Sequence, residues 1–441
     1  MSKRTDRYYP DKVPDNRTSA QRDRDRILYT SAFRRLARVT QVVSAEEGHV
    51  FHNRLTHSLQ VAQVGSRIAQ KLIRDASEAS GPLQDVDPDV VEAACLAHDL
   101  GHPPFGHIAE QELDKLATSH GLPDGFEGNA QSFRIVTSLA SASSTGPGLN
   151  LTRATLNGVL KYPWARRENP KKIDKWGAYE SERDQFLWAR ELVVERGREQ
   201  EPSAEAMLMD VADDITYSVH DVDDFYRAGL IPIDRLRVDP GERQRFYREV
   251  FERVSGTLPA DLNESYLEQS FEKLILKIPQ DKPYEGTMRD RGLLRDLTAS
   301  LIGDFVRSVG IERAGGGVSK LTQPKQRRAE IFMLKQLTWH YVIKNPALAS
   351  QQQGQRTIIR TLFNVFHKAA LDEKDGNVDV FPVGMRETLR GIIESKGDAA
   401  PRETTRAIID FISSLTEEQA VDACHRLTGV SLGSALVERW K

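Results

Sequence analysis

The sequence predicts a mainly α-helical fold, and three observations lead to this prediction. Apolar residues recur at helical spacing from Thr56 onward and again from Ala206 to Tyr226. The pair Asp87-Pro88 is typical of a helix start, because Asp caps exposed backbone N–H groups and Pro is tolerated in the first turn. Segments with the polar-apolar alternation of a strand are few. We expect further helices at 331–342 and 357–370.

Composition and charge exclude several classes of protein. The chain has 441 residues, enough for about two or three domains or for one large helical body. Its net charge is −3, so it lacks the strong positive field that most nucleic-acid-binding proteins carry. No segment approaches the about 20 apolar residues of a membrane span, and the charged N-terminus is not that of a signal peptide. Cys95 and Cys424 form no disulfide framework, so we expect a cytoplasmic protein without a membrane partner.

The charge and hydropathy pattern divides the chain into three regions. Residues 1–23 form a polar, Arg-rich arm that we expect to be extended or to wrap a neighbouring surface. Residues 24–230 form a helical core, with a charged excursion near 163–203. Residues 231–441 form a helical C-terminal region, which we expect to complete the functional site and to supply oligomer contacts.

Histidine and aspartate residues with metal-ligand chemistry stand on the predicted helices of the core. His57 lies on the apolar side of its helix, and His98-Asp99 ends the helix that starts at Asp87. One carboxylate of the pair Asp213-Asp214 would complete a set of two imidazoles and two carboxylates, and we select Asp213. Such a set suits Mn, Fe, Co, Ni or Mg better than structural zinc. The alternative is that each is an ordinary core histidine or helix-end carboxylate.

Two more histidines follow the His98-Asp99 pair in a short loop stiffened by proline and glycine. A stiff loop can hold His102 and His107 within reach of a reacting oxygen, and histidine titrates near neutrality. Glu110 stands one helical turn after His107 and could accept an N–H bond from its imidazole. The alternative for Glu110 is a solvated surface position.

Cations and aromatic rings near this site suit an anionic, ring-containing substrate. Arg54, Lys161 and Arg166-Arg167 are available for anionic oxygens, and Tyr162 and Tyr217 for stacking on a base. On the helix 206–226, three polar side chains at i, i+4 and i+8 share one stripe: Asp213, Tyr217 and Asp221. The residues together indicate a metal-dependent phosphohydrolase.

Five motifs carry a resemblance to a known family. They are RLTHS at 54–58, HDLGHPPFGH at 98–107, FEGNAQ at 126–131, LKYP at 160–163 and ADDITY at 212–217. Together they resemble the deoxynucleoside triphosphate triphosphohydrolases (dGTPase-like) of the HD superfamily. The resemblance is strong from about Arg24 to Tyr226 and weak to about Ala370. It implies an HD-domain helical bundle, over the core 24–230, with additional C-terminal helices.

The resemblance also implies an activity and residue roles. The activity is metal-dependent hydrolysis of a dNTP, dGTP among the candidates, to deoxynucleoside and inorganic triphosphate. The metal ligands it implies are His57, His98, Asp99 and Asp213. The implied acid-base pair is His107 with Glu110, and His102 lies near the same phosphate. The implied triphosphate contacts are Arg54 and Lys161, and the implied deoxyribose contacts are Gln41, Tyr217 and Asp221. A homo-oligomer and a nucleotide effector are implied partners.

Two alternatives stay open at this point. The first is another HD phosphohydrolase, such as a nucleoside monophosphatase or a (p)ppGpp or cyclic-nucleotide phosphodiesterase. The second is a non-catalytic, nucleic-acid-binding regulatory protein, since the Arg-rich first forty residues would allow a secondary contact with single-stranded nucleic acid.

Overall fold

The structure is a computed structural model, and it confirms the mainly α-helical prediction. It describes residues 4–11, 16–41, 52–79, 81–142, 146–194, 198–278, 282–314, 317–371 and 377–431. Across these ranges it contains eighteen α-helices and one two-stranded β-hairpin. In the same ranges, no helix combines the length and apolarity needed to cross a bilayer.

The first nine helices include the motifs that the sequence singles out. They are α1 (Ser19–Leu28), α2 (Ser31–Arg35), α3 (Arg54–Ala79), α4 (Pro88–Ala97), α5 (His107–Ser119), α6 (Gly128–Arg134), α7 (Arg153–Val159), α8 (Arg183–Val194) and α9 (Ala204–Arg227). Asp87 caps α4 by accepting a bond from the backbone N–H of Asp89, as predicted. His98 follows as the C-cap of α4, which places the His98-Asp99 pair at a helix end.

The remaining elements form the C-terminal region. They are α10 (Ile233–Val238), α11 (Pro240–Val254), α12 (Glu264–Ile275), α13 (Met288–Ser308), β1 (Gly310–Ala314), β2 (Gly317–Thr322), α14 (Lys325–Thr338), α15 (Pro346–Leu371), α16 (Val383–Lys396), α17 (Ala400–Ser413) and α18 (Glu417–Leu427). A short π-helical segment, Trp339–Ile343, links α14 towards α15. The helices expected at 331–342 and 357–370 are confirmed, although each begins earlier than the apolar pattern indicates.

Two local features differ from the sequence-based expectation. Helix α1 begins at Ser19, inside the predicted arm 1–23, because Thr18 and Gln21 form a reciprocal capping box. The described arm residues 4–11 lie against the body of the protein, where Arg7 Nη1 lies 2.6 Å from Asp23 Oδ1. The antiparallel hairpin β1–β2 was not predicted, since its charged and glycine-rich sequence carries no clear alternation.

The buried apolar residues form two large clusters, and the two clusters divide the site-bearing helices between them. The first, here called the N-terminal core, contains Val61 of α3, Leu96 of α4 and Ile215 of α9. The second, the C-terminal core, contains Leu113 of α5 and Phe363 of α15, together with residues of α17 and α18. Helix α5 therefore packs on the C-terminal helices, although it is close in sequence to α4. The domain boundaries at 23 and 230 stay predictions.

Candidate metal and phosphate site

Three helices of the N-terminal core bring the predicted metal ligands together. His57 comes from the first turn of α3, His98 and Asp99 from the end of α4, and Asp213 from the middle of α9. Ligand atoms of His57, His98 and Asp99 lie within 4.8 Å of one another. His57 Nε2 lies 3.1 Å from Asp213 Oδ1, and His98 Nε2 lies 3.8 Å from the same oxygen. Asp214 instead pairs with Lys335 on α14.

The chemistry of His98 fits a bound cation. His98 Nδ1 donates a hydrogen bond of 2.6 Å to the carbonyl oxygen of Cys95, which leaves Nε2 as an acceptor. Nε2 is buried and has no hydrogen-bond partner among the described residues, and it lies 3.4 Å from Asp99 Oδ1. A lone pair facing carboxylate oxygens is unfavourable unless a cation lies between them. Backbone bonding at Nδ1 is also the usual way in which a metal-binding histidine is oriented.

The candidate carboxylates are held in their charged form. Burial alone would raise the pKa of Asp99, but His98, Arg54 and His102 hold that pKa well below its usual value. Burial would likewise raise the pKa of Asp213, and Lys161 and His57 hold it well below the usual range. Both groups are therefore suited to act as anionic ligands.

A second group of side chains, on α5, contains the two residues that the resemblance implies as an acid-base pair. His107 Nδ1 lies 2.9 Å from Glu110 Oε2. The His107 side chain is 66% exposed, whereas that of Glu110 is 9% exposed. Lys175 Nζ contacts Glu110 Oε1 at 2.9 Å and Glu127 Oε1 at 2.8 Å. Burial opposes the charge of Glu110, but His107 and Lys175 hold its pKa well below its usual value.

His102 lies between the two groups and touches both. Its Nδ1 lies 3.1 Å from Asp99 Oδ1, and its Nε2 lies 3.9 Å from Glu110 Oε2. The ring centroids of His102 and His107 are 5.2 Å apart. Burial and the nearby charge of Arg54 lower the pKa of His102 to about 4, so its imidazole is neutral at physiological pH.

Two glycines let the His98–His107 loop pack closely against the FEGNAQ motif. A Cβ atom on Gly101 would lie 2.1 Å from the carbonyl oxygen of Gly128, and one on Gly128 would lie 3.4 Å from the His102 ring. Glu127 caps α6 by accepting bonds from the backbone N–H groups of Asn129 and Ala130. The FEGNAQ motif therefore packs against His102 and supports it. This packing explains why the motif lies beside the site.

The C-terminal region holds the same loop from the other side. The backbone N–H of Phe105 donates to Glu417 Oε1 of α18 at 3.1 Å. Phe105 has a φ of 67°, a strained conformation for a bulky residue that persists only where the surroundings enforce it. The buried Arg35 donates bonds of 2.8 Å to the carbonyl oxygens of Leu100 and His102. Residues 231–441, which we expect to complete the site, therefore support the loop through Glu417.

A cavity of about 470 Å³ opens onto both groups. Its lining contains these predicted residues: Gln41, Arg54, His98, Asp99, His102, His107, Lys161, Tyr162, Asp213 and Tyr217. The remaining predicted residues, His57, Glu110 and Asp221, lie behind the lining. Arg166 lies outside it, because its guanidinium contacts Asp114 Oδ2 at 2.8 Å and stacks on Trp176. Arg167 is exposed and also lies outside the lining.

Four of the six charged side chains of the lining pair with one another. Among the described residues, three cations and three carboxylates line the cavity: Arg54, Lys161, Lys175, Asp99, Asp213 and Asp214. Arg54 Nη1 contacts Asp99 Oδ2 at 2.8 Å, and Lys161 Nζ contacts Asp213 Oδ2 at 3.0 Å. The two predicted phosphate contacts thus neutralise two predicted metal ligands in this structure.

Polar atoms near the predicted sugar positions are left without partners among the described residues. Gln41 Oε1 and Asp221 Oδ2 are buried and accept no hydrogen bond there. Burial and Asp224 raise the pKa of Asp221 well above its usual value. Burial and Asp221 in turn raise the pKa of Tyr217. Such atoms are suited to bind hydroxyl groups of a ligand.

Several lining residues were not predicted from the sequence. Lys175 and Asn129 lie in a loop and at a helix start, where spacing gives no direction to a side chain. Leu348, Gln351, Gln352 and Gln355 come from α15, more than 100 residues after the last predicted site residue. For Lys175, the only local signal in the sequence is a lysine near acidic residues, and most such lysines are surface residues.

A helical bundle that brings a His, a His-Asp pair and an Asp together beside a His–Glu pair defines an HD-type phosphohydrolase. Residues 54–218 match the HD domain, and residues 321–426 match the phosphohydrolase-associated domain. The first match contains all four predicted metal ligands. The second covers α14 to α18 apart from the last residue of α18 and includes the lining residues that come from α15 and the preceding π-helical segment.

Similar proteins extend the family assignment over the whole chain. A deoxyguanosinetriphosphate triphosphohydrolase-like protein of Streptomyces coelicolor is 38% identical over 95% of this chain and 95% of its own length. Proteins of the same description from Corynebacterium glutamicum and Bordetella pertussis are 34% and 31% identical over 92% and 97% of this chain. These two matches cover 90% and 94% of the relatives' own lengths. This chain belongs to the deoxynucleoside triphosphate triphosphohydrolase (dGTPase-like) family of HD-domain hydrolases, as its motifs predicted.

Proposed function

We propose that this protein hydrolyses dNTPs to deoxynucleoside and inorganic triphosphate with the help of a divalent metal ion. The observation that carries the proposal is the contact of His102 with both groups: Asp99 at 3.1 Å and Glu110 at 3.9 Å. Metal-type ligands and an acid-base pair therefore border the same cavity. The names of the relatives, all triphosphohydrolase-like, agree with this reaction.

The residues that would hold the metal are His57, His98, Asp99 and Asp213. Mn, Mg, Fe, Co and Ni are all compatible with two imidazoles and two carboxylates. A bound divalent ion supplies screening of the phosphate charge and a water molecule of lowered pKa. The lining supports the need for such an ion, because its cations and carboxylates balance in number and offer a triphosphate no excess positive charge.

The proposed proton transfer uses His107 and Glu110. In the reaction, a water oxygen forms a bond to the α-phosphorus, the bond from phosphorus to O5′ breaks, and O5′ takes up a proton. Glu110 holds Nδ1 of His107, which leaves Nε2 as the atom that exchanges the proton. His102, neutral at physiological pH, can hold a phosphate oxygen only as an N–H donor. Arg54 and Lys161 are the proposed triphosphate contacts.

The sugar would be held by the three residues that the resemblance implies as deoxyribose contacts. Gln41 Oε1 or Asp221 Oδ2 can accept the hydrogen bond of the 3′-hydroxyl group, and the Tyr217 ring can pack against the C2′ edge. A ribose 2′-hydroxyl would then meet an apolar ring face without a partner, which disfavours ribonucleotides. Tyr162, which lines the cavity, would form one boundary of the nucleotide site.

The other partners and the location belong to the same proposal. A homo-oligomer, a nucleotide effector and a secondary contact with single-stranded nucleic acid follow from the resemblance and the Arg-rich N-terminus. The cytoplasmic location agrees with two buried, unpaired cysteines, Cys95 and Cys424.

The test is an ion-exchange analysis of products. Purified protein is incubated with each dNTP and with GTP, with Mn or Mg, and with other dNTPs added as activators. We expect deoxynucleoside and triphosphate from dNTPs, no product from GTP, and no turnover by His98→Ala. His425→Ala, at an exposed position on α18, is the matched control. Orthophosphate or monophosphate as a product would assign the protein to another HD activity. No turnover under any condition would support the alternative of a non-catalytic, nucleic-acid-binding regulatory protein.

A further inference from the structure

The part of the cavity lining that comes from the C-terminal region carries no charge, whereas α3, α9 and the loops after α4 and α7 contribute the charged side chains. It consists of Leu348, Gln351, Gln352 and Gln355 of α15, together with Ile343 of the preceding π-helical segment. The four α15 residues stand at i, i+3, i+4 and i+7, so they share one face of the helix. We call this set the amide wall.

We propose that the amide wall binds the base of the nucleotide, and that Gln352 and Gln355 give the enzyme broad base selectivity; this inference rests on the proposed function. A nucleobase is uncharged, has apolar faces and presents hydrogen-bond donors and acceptors at its edge. Ile343 and Leu348 supply apolar contact for such a face. Each glutamine amide carries two donor hydrogens and an acceptor oxygen, so it complements either kind of edge group.

The breadth of selectivity follows from the freedom of the amide group. Rotation of a glutamine amide by half a turn exchanges its oxygen and nitrogen at little cost, so one side chain can serve guanine, adenine, cytosine or thymine. A carboxylate or guanidinium at these positions would instead offer only acceptors or only donors. We therefore expect the kcat/KM values for the four dNTPs to lie within about tenfold of one another.

The wall has a fixed position relative to the acid-base pair. Further along the same face of α15, Ile359, Leu362 and Phe363 are fully buried in the C-terminal core that also contains α5. Arg360 Nε of α15 contacts Glu112 Oε1 of α5 at 2.8 Å. Since His107 and Glu110 are also on α5, a base on the amide wall would keep its nucleotide in register with the proton-transfer groups.

The test compares base preference in Gln352→Ala, Gln355→Ala and Gln353→Ala. Gln353 is the neighbouring glutamine on α15, exposed and outside the cavity lining, so it is the matched control. We expect each of the first two variants to lower kcat/KM by about fivefold or more on each of the four dNTPs, roughly one hydrogen bond, so that base preference stays broad. Gln353→Ala should leave kcat/KM for every dNTP within about threefold of wild type, because its side chain lies outside the cavity lining.

A second measurement separates this inference from the proposed function. Binding of the four deoxynucleosides is measured by calorimetry, which needs neither phosphate nor turnover, and we expect weaker binding in Gln352→Ala and Gln355→Ala but not in Gln353→Ala. Unchanged kcat/KM for all four dNTPs, or unchanged nucleoside binding in both variants, would overturn the amide wall. Triphosphate release with unchanged kcat/KM in both variants would leave the reaction standing and remove the amide wall alone.

Discussion

The guanidinium of Arg54 is bound to the candidate metal ligand Asp99, with 2.8 Å between Arg54 Nη1 and Asp99 Oδ2. Arg54 was predicted to bind phosphate, and in this structure it first neutralises a carboxylate. Its Nε also donates to the carbonyl oxygen of Thr40 at 3.0 Å, so the side chain is fixed at two points. The oxygen Asp99 Oδ1 remains on the side of His98 and His102. Arg54 thereby determines which oxygen of Asp99 faces the metal site.

Replacing Arg54 should destabilise the fold and not only weaken substrate binding. Arg54→Ala leaves the buried Asp99 without its guanidinium, and breaking a buried pair in this way costs about 3 kcal/mol or more. Arg67→Ala, on the exposed face of the same helix, should change the free energy of unfolding by less than about 0.5 kcal/mol. Urea denaturation of both variants measures this difference. Equal stability of the two variants would contradict a structural role for the Arg54–Asp99 pair.

The fourth metal ligand can be identified with two adjacent substitutions. Asp213 Oδ1 lies 3.1 Å from His57 Nε2, whereas Asp214 pairs with Lys335. Asp213→Asn should therefore lower the affinity for Mn(II) by at least about tenfold, and Asp214→Asn should leave it nearly unchanged. Calorimetric titration with Mn(II) gives both affinities. A larger loss in Asp214→Asn would show that α9 presents the other carboxylate to the metal.

His220 should make the fold sensitive to acid. Burial, His52 and His57 lower the pKa of His220 from 6.5 to about 3. The unfolded chain therefore binds more protons than the folded chain between these two pH values, so this contribution is complete above pH 6.5 and is lost as the pH falls. Between pH 6.5 and 5 the loss is about 2 kcal/mol.

The variant His220→Phe isolates this contribution. Phenylalanine keeps a flat ring against His52, whose imidazole stacks on that of His220 at 4.7 Å, and cannot be protonated. Denaturant unfolding at pH 6.5 and at pH 5 should show a smaller loss of stability in the variant than in wild type. His425→Phe, at an exposed position on α18, should keep the wild-type pH dependence. An unchanged loss in His220→Phe would assign the acid sensitivity to other groups.

The sequence predicted those parts of the site in which a helix gives each side chain a direction. His57 on α3, the His98-Asp99 pair at the end of α4 and Asp213 on α9 all follow from helical spacing and capping, which are local properties. Their convergence could be expected because a bundle turns apolar faces inward. The choice of partners, such as Arg54 for Asp99, could not, since it depends on the packing of separate helices.

The amide wall of the cavity could not be predicted from the sequence. Gln352 and Gln355 are polar residues of an ordinary helical pattern, and only the packing of α15 on α5 turns them towards the cavity. Glu417, which accepts the N–H of Phe105, is more than 300 residues away from it along the chain. Contacts at such separation leave no periodic signal in a single sequence.

Gly101 sets the distance between the His98–His107 loop and α6, and its substitution should be among the most damaging in the chain. In Gly101→Ala the new Cβ would lie 2.1 Å from the carbonyl oxygen of Gly128 and 2.3 Å from the backbone nitrogen of Ser132. Backbone atoms cannot rotate away, so the loop must move, and we expect a loss of about 3 kcal/mol or more together with weaker Mn(II) binding. Gly391→Ala, in α16 with open space around its Cβ, should instead stabilise the protein by about 0.5–1 kcal/mol. Denaturant unfolding and Mn(II) titration of both variants measure the two effects. Tight Mn(II) binding and normal stability in Gly101→Ala would show that the close packing of loop and α6 is not needed to position His98 and Asp99.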